Sequence, residues 1–384
     1  MGKRKRRGDL ELQLPDDILL NIFKRIPAKP LMRLKCVCKS WKTLISSPYL
    51  ANLHYKVSQT RPDASYLIFY LRKNFSTIRS IFPTNLEAAL TAGLPTHNFQ
   101  QSSPCTDIVN GLICFFDRKD YQLKMLNITT GEKVTLPYQR PLQFRYPSMF
   151  LGFDPHRKEY KVLCTLDFGR QVKWRILTIG TNLWRTMGNK PLLEKFKKGT
   201  ICVDGCIYWK DELFVDGERA IQYFHVGEEK FGMVFPPKRT KRIRQVTRIG
   251  DDLAIVYRKP FCHNLLKLWI FNKEDKNWAK NVIKLPRIPV SRLKVIGTTH
   301  KTSEILMTTK LGYHDMLQLV FYDLETGNLR TSNITCPGMP SIAAGNKLLR
   351  NPASGLFPSS AGSKVPNLCS LVMQSVPQRY WPNR

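Results

Sequence analysis

A multidomain α plus all-β protein is what the sequence predicts: a small helical module near the amino end, then a large domain of repeated antiparallel strands. The 384 residues, 42% of them hydrophobic, suffice for one small module and one large core. Helical spacing of apolar residues is concentrated between Leu14 and Leu53. Beyond it, strand-like segments recur about every fifty residues in two independent series.

The amino-terminal module reads as two short amphipathic helices. Pro15 suits a first helical position, and Asp16 and Asp17 follow where the helix dipole favours negative charge. Ile18, Ile22 and Ile26 recur every four residues, with Leu19 and Phe23 widening the stripe. Pro27 and Pro30 separate this helix from a second, in which Leu31, Leu34, Cys38, Trp41 and Ile45 recur at three- and four-residue steps. About forty residues cannot easily make an autonomous core, so the surplus apolar surface calls for a partner. An apolar helical stripe alone would be equally at home in a helix pair packed on its own domain.

The full register favours the partner. Leu14-Pro15, then Ile18 and Ile22, then Val37-Cys38-Lys39-Ser40-Trp41 followed by Leu44-Ile45 and Pro48, resembles the F-box, the adaptor-binding motif of substrate receptors in cullin–RING ubiquitin ligases. The resemblance implies that Leu14, Pro15, Ile18, Ile22, Leu31, Val37, Cys38 and Trp41 contact or support a Skp-family adaptor, and through it cullin and RING subunits. Pro30 departs from the family pattern, which often has Ser or Asp there, so a fixed φ replaces a side-chain cap at the second helix entry.

The β-rich remainder carries its own periodicity. Five segments each read as a strand, a polar turn and a bulky apolar residue opening the return strand. The returning residues are Val134, Trp184, Phe231, Trp278 and Leu329, at intervals of 50, 47, 47 and 51 residues. A second series lies upstream in each unit, starting at Asn110, Glu159, Asp204, Asp251 and Glu304. This is the pattern of kelch-like propeller blades, each burying its faces against its neighbours. Five repeats are visible, and residues 65–100 would supply a sixth. The runs NGLICF, Phe150-Leu-Gly-Phe-Asp-Pro155 with Tyr160-Lys161-Val162, and DGCIYW resemble the F-box-associated domain of plant F-box proteins. The Gly-Gly doublet of true kelch repeats does not occur. The expected organisation is a basic arm at 1–8, the F-box at 9–55, the kelch-like β domain at 60–340, and a Gly/Ser/Pro-rich, partly disordered tail at 341–384 that holds one short apolar piece fit for a closing strand.

Composition points to a soluble protein of the nucleus or cytoplasm. No apolar stretch approaches membrane-spanning length, and the amino terminus lacks the apolar region of a secretory signal. The ten scattered cysteines read as reduced, with Cys36 and Cys38 on different faces of one helix. No metal or cofactor is expected, and no catalytic constellation is visible, so the expectation is a non-catalytic receptor for a target protein. The formal charge of +32 bears on polyanion affinity and steering. Lys3, Arg4, Lys5, Arg6 and Arg7 form a candidate nuclear-import signal, which a solvated tail explains equally well. Lys238, Arg239, Lys241, Arg242, Arg244 and Arg248 form a second basic run, the first candidate for target binding. The same run supports an alternative, a nucleic-acid-binding propeller, although Phe235 is its only adjacent aromatic.

Overall fold

The computed structural model describes residues 14–59, 65–73, 78–85, 99–101, 106–117, 120–127, 132–137, 148–167, 172–181, 183–188, 199–237, 243–257, 264–285, 293–299, 303–310, 316–335 and 369–375. The chain forms two compact units, one of residues 1–60 with 377–384 and one of residues 61–376. Among the described residues no helix is long and apolar enough to cross a membrane.

Among its described residues the first unit holds four helices rather than the two expected: α1 (Asp16–Phe23), α2 (Ala28–Leu34), α3 (Lys39–Ile45) and α4 (Pro48–Gln59). The second expected helix is broken because Cys38 adopts an extended backbone, and its sulfur caps α3 by accepting from the Trp41 N–H at 3.4 Å. Cys36 and Cys38 therefore sit at the break, both exposed, instead of on two faces of one helix. Two proline assignments also shift. Pro15 is the cap of α1, one residue before the helix, and α2 starts at Ala28 with Pro30 inside its first turn, where no intrahelical N–H bond is lost. A small core of Leu19, Phe23, Leu31, Ile45 and Leu50 joins all four helices. Buried His54 of α4 donates from Nε2 to the Ile26 carbonyl at 2.7 Å, tying α4 to the turn after α1.

The second unit is a six-sheet β-propeller-type domain. The strands in chain order are β1 (Ser65–Lys73), β2 (Ile78–Asn85) and β3 (Phe99–Gln101) for the first blade; β4 (Leu112–Asp117), β5 (Gln122–Asn127) and β6 (Lys133–Leu136) for the second; β7 (Ser148–Asp154), β8 (Glu159–Asp167), β9 (Val172–Thr178) and β10 (Trp184–Thr186) for the third. The fourth blade has β11 (Thr200–Val203), β12 (Cys206–Val215), β13 (Glu218–His225) and β14 (Lys230–Val234); the fifth has β15 (Ile243–Ile249), β16 (Asp252–Tyr257), β17 (Leu265–Asn272) and β18 (Asn277–Lys284). The sixth has β19 (Leu293–Thr298), β20 (Glu304–Lys310), β21 (Met316–Asp323) and β22 (Leu329–Thr335), after which β23 (Cys369–Ser375) returns to the first blade. The expected hairpin series is the third and fourth strands of blades two to six, and the upstream series is the second strands.

The short apolar piece of the tail forms the strand that the sequence allowed there. β23 pairs antiparallel with β1 from Ser65↔Ser375 to Leu71↔Cys369, so the first blade is assembled from both ends of the domain. The second blade has three regular strands, and its inner place is taken by residues 106–109. Thr106 imitates a strand there: its N–H donates to the Cys114 carbonyl at 2.8 Å, and its Oγ1 accepts from the Cys114 N–H at 3.0 Å.

Burial falls off outward in the third and fifth blades. Inner strand β7 is buried on both faces after its first residue, whereas outer strand β18 is mostly exposed or half-buried. Asn110-Gly111, Asp204-Gly205 and Asp216-Gly217 link strands with positive φ at both central residues, as two-residue hairpin turns of this hand require. Neighbouring blades interlock through large side chains. Trp174, Trp209, Phe150, Phe224 and Phe231 fill the junction of blades three and four, with Trp174 edge-on to Trp209 at 6.1 Å. Gly152 permits the close approach, since a Cβ there would lie 2.5 Å from Val226 Cγ2. Two returning residues repeat one bond: Trp184 Nε1 donates to the Pro137 carbonyl and Trp278 Nε1 to the Phe235 carbonyl, each reaching the preceding blade.

An ion cluster reinforces the same junction. Glu229 accepts from Arg185 at 2.6 and 2.9 Å and from the buried Lys161 at 2.8 Å. The Arg185 hydrogen bonds, opposed by partial desolvation and aided by Lys161, hold the Glu229 carboxyl below the usual carboxylate range. The folded state thus binds this proton less readily than the unfolded chain. The stabilisation is full above the ordinary carboxylate pKa and drains as pH falls through the depressed value. Glu229→Gln is expected to cost about 1–2 kcal/mol at neutral pH, because the buried Lys161 loses its ion-pair partner. Melting curves recorded from neutral pH down to about pH 3 check this; the variant should lose the acid-side fall contributed by this site.

Candidate functional site

The amino-terminal unit presents an apolar seam that its own core does not cover. Helix α1 turns Leu19 and Phe23 inward, leaving Ile18 at 42% and Ile22 at 43% exposure on another face. Leu14 at 49% and Val37 at 59% add to the exposed set, and Pro15 and Cys38 are exposed as well. α1 therefore has two apolar faces, one spent on folding and one left to water. Two of the nominated residues belong to the support. Leu31 is fully buried, and Trp41 is half-buried with its ring edge-on to Phe23 at 5.0 Å. Sequence reasoning missed Leu50 and His54 because it placed no helix after Ile45; Ser47, whose Oγ accepts from the Leu50 N–H, was the available capping signal.

In the second unit the strand order puts β7, β11, β15, β19 and β23 at one edge of their sheets, and these edges pack on one another around an axis. A cavity of about 150 Å³ lies among β11, β15, β19 and residues 107–108 of the second blade. Asp107, Lys210, Arg248 and Lys294 supply its charged lining, from four different blades. Lys210 stands at a bulge of β12 and reaches Asp107 at 3.3 Å, spanning from the fourth blade to the second. Arg248 donates to the Gly250 carbonyl at 2.6 Å and pairs with the largely exposed Asp251. Gln245 extends the pairing between inner strands: its Oε1 accepts from the Val295 N–H at 3.1 Å and its Nε2 donates to the Val295 carbonyl.

Of the six residues predicted for target binding, Arg244 and Arg248 lie on β15, Arg244 exposed and Arg248 in the cavity wall. Lys238, Arg239, Lys241 and Arg242 lie outside the described residues, as do Lys3, Arg4, Lys5, Arg6 and Arg7. Lys210 and Lys294 were not foreseen. The signal that would have found Lys294 is a third series of apolar strands preceding the second, now seen as β7, β11, β15 and β19. Cys202 also lines the cavity, and burial pushes its thiol up to about 11 despite the opposing hydrogen bond from the Phe153 backbone and the charge of Arg248, so it stays neutral. Cys164 is likewise pushed up to about 12 by burial.

An exposed helical seam and a six-bladed propeller-type domain together define an F-box protein with an associated propeller. Residues 12–52 match the F-box domain, and residues 64–350 match the F-box associated beta propeller domain. The chain belongs to this family of plant F-box proteins. It is similar to the Arabidopsis thaliana F-box protein DOR, 28% identical over 354 residues that cover 84% of this chain and 88% of the relative. It is also similar to the Arabidopsis thaliana F-box protein At5g65850, 28% identical over 327 residues, covering 79% of this chain and 80% of that one. Among solved structures, TolB from Acinetobacter baumannii aligns over 72% of this chain and 65% of its own, at 12% identity and a TM-score of 0.45.

Proposed function

We propose that the chain is the substrate-recognition subunit of an SCF-type cullin–RING ubiquitin ligase. The uncovered apolar seam of Leu14, Pro15, Ile18, Ile22, Val37 and Cys38 is the observation that carries this reading. It would dock on a Skp-family adaptor, with Leu31 and Trp41 holding the seam in shape from behind. The propeller would capture a target protein, with the Lys238–Arg248 segment and the adjoining inner strands as the first candidate surface. On this reading the chain supplies proximity, raising the effective concentration of target lysines near the ubiquitin-loaded enzyme, and the target proceeds to degradation. The basic arm at Lys3–Arg7 would serve nuclear import.

Leu14→Ala combined with Pro15→Ala tests the first link. Adaptor co-purification is expected to fall by at least about tenfold, since desolvated anchors carry most interface affinity. The melting temperature of the β domain should stay unchanged. Undiminished co-purification by the double variant would remove these two residues from the interface.

A further inference from the structure

We propose that the axial cavity of the propeller is a binding site for a single anionic side chain, carboxylate or phosphorylated, presented by an acidic segment of the captured protein. The proposal rests on the receptor reading for the partner's being a protein, and on the cavity's own chemistry for the rest. Among the described residues, three cations, Lys210, Arg248 and Lys294, line it together with one acid, Asp107. Cys202 adds no negative charge.

Two ion pairs at the wall are of the exchangeable kind. Lys210 and Asp107 are 3.3 Å apart with both side chains 30% exposed, and the partner of Arg248, Asp251, is 90% exposed. Pairs this open to water contribute about 0–1 kcal/mol each, so an entering oxyanion displaces little. A third cation, Lys294, is exposed on β19 and adds positive potential to the same wall. Low-dielectric walls around this excess of positive charge focus the field on the opening.

Size and lining decide which anion. At about 150 Å³ the cavity admits one side-chain head group and is below the roughly 300 Å³ at which pockets for drug-sized ligands begin. Among the described residues no aromatic side chain lines it. A nucleic-acid strand would find phosphate contacts but no stacking platform, the feature that sequence-tolerant single-strand binders use. Thr247 and Thr298, by contrast, are lining residues that carry hydroxyls, that of Thr298 accepting from the Gly250 N–H at 3.2 Å with its own proton left to donate. The protein's net charge of +32 steers acidic partners toward it without fixing where they land.

The test uses the purified full chain without adaptor, so its outcome is separate from that of the adaptor experiment. Two fluorescent probes, a hexaglutamate peptide and a peptide of the same length carrying one phosphoserine, are titrated at low ionic strength, with inorganic phosphate and a single-stranded oligonucleotide as competitors. At least one peptide is expected to bind, and Arg248→Gln with Lys294→Gln should weaken it by about tenfold or more, the range for lost charge-assisted hydrogen bonds. Lys284→Gln on outer strand β18 should change nothing. Inorganic phosphate should compete weakly, and only at the same site. If the double variant fails to fold, Lys294→Gln alone, an exposed position, replaces it and should still weaken binding. The proposal is overturned if neither peptide binds, if the cavity variants bind as the wild type does, if free phosphate outcompetes both peptides, or if the oligonucleotide binds more tightly with the same dependence on Arg248 and Lys294.

Discussion

Ile18→Asp with Ile22→Asp is expected to abolish measurable binding of a purified Skp-family adaptor while leaving the module folded. Both side chains are more than 40% exposed on α1, and the core of Leu19, Phe23, Leu31, Ile45 and Leu50 does not depend on them. Surface substitutions of this kind usually change stability by no more than about 0.5 kcal/mol. Binding is another matter. Each variant gives up an apolar anchor and places a carboxylate in a site that excludes water, at a cost of at least about 2 kcal/mol apiece. The pair should therefore lower affinity by roughly a thousandfold or more. Leu31→Ala offers the contrast, since truncating a fully buried side chain costs about 2–5 kcal/mol and would unfold the module itself. Calorimetry of adaptor binding beside circular dichroism separates the two. Affinity of the aspartate variant within threefold of wild type would refute the assignment.

The second large effect concerns closure. A chain ending at residue 368 lacks β23 and loses the seven register positions that pair it with β1. Cross-strand pairs contribute about 0.2–1 kcal/mol each, so the loss is roughly 1.5–7 kcal/mol, or a fall in Tm on the order of 2–10 °C for a unit of this size. The truncation also opens one edge of β1, whose sequence SYLIFYLRK is apolar or aromatic from Tyr66 to Leu71. Such an edge is a template for pairing with another chain, so light scattering should show aggregation. A monomeric truncated protein with an unchanged melting temperature would show that the first blade holds without its last strand.

Much of this architecture was legible because two signals are local. Asn-Gly and Asp-Gly turns, together with bulky returning residues, mark hairpins within about fifteen residues, and blades two to six follow from them. The pairing of β23 with β1 is not local; no turn chemistry links segments some three hundred residues apart, and only the apolar run at 368–373 hinted at it. The helix break at Cys38 escaped notice because heptad-like spacing continues across it, while the capping atom is a sulfur in place of the usual oxygen. At the candidate sites, spacing identified the exposed α1 residues but could not tell them from Leu31, because periodicity reports that a face is apolar and not what covers it. The axial cations are harder still. Lys210 depends on a bulge in β12, and its encounter with Asp107 exists only once the blades converge.

A first blade made from both ends of the domain sets a timetable for biosynthesis. The amino-terminal helices leave the ribosome first and satisfy their core with local contacts. β1 emerges soon after, yet its partner follows only about 15–60 s later at ordinary elongation rates. Throughout that interval a greasy strand stands half-paired beside a growing stack of sheets, which makes the nascent polypeptide a natural client for chaperones. On the receptor reading, a prematurely terminated product would still occupy adaptor molecules while delivering nothing to the ligase, and so would act as a competitor of its full-length siblings.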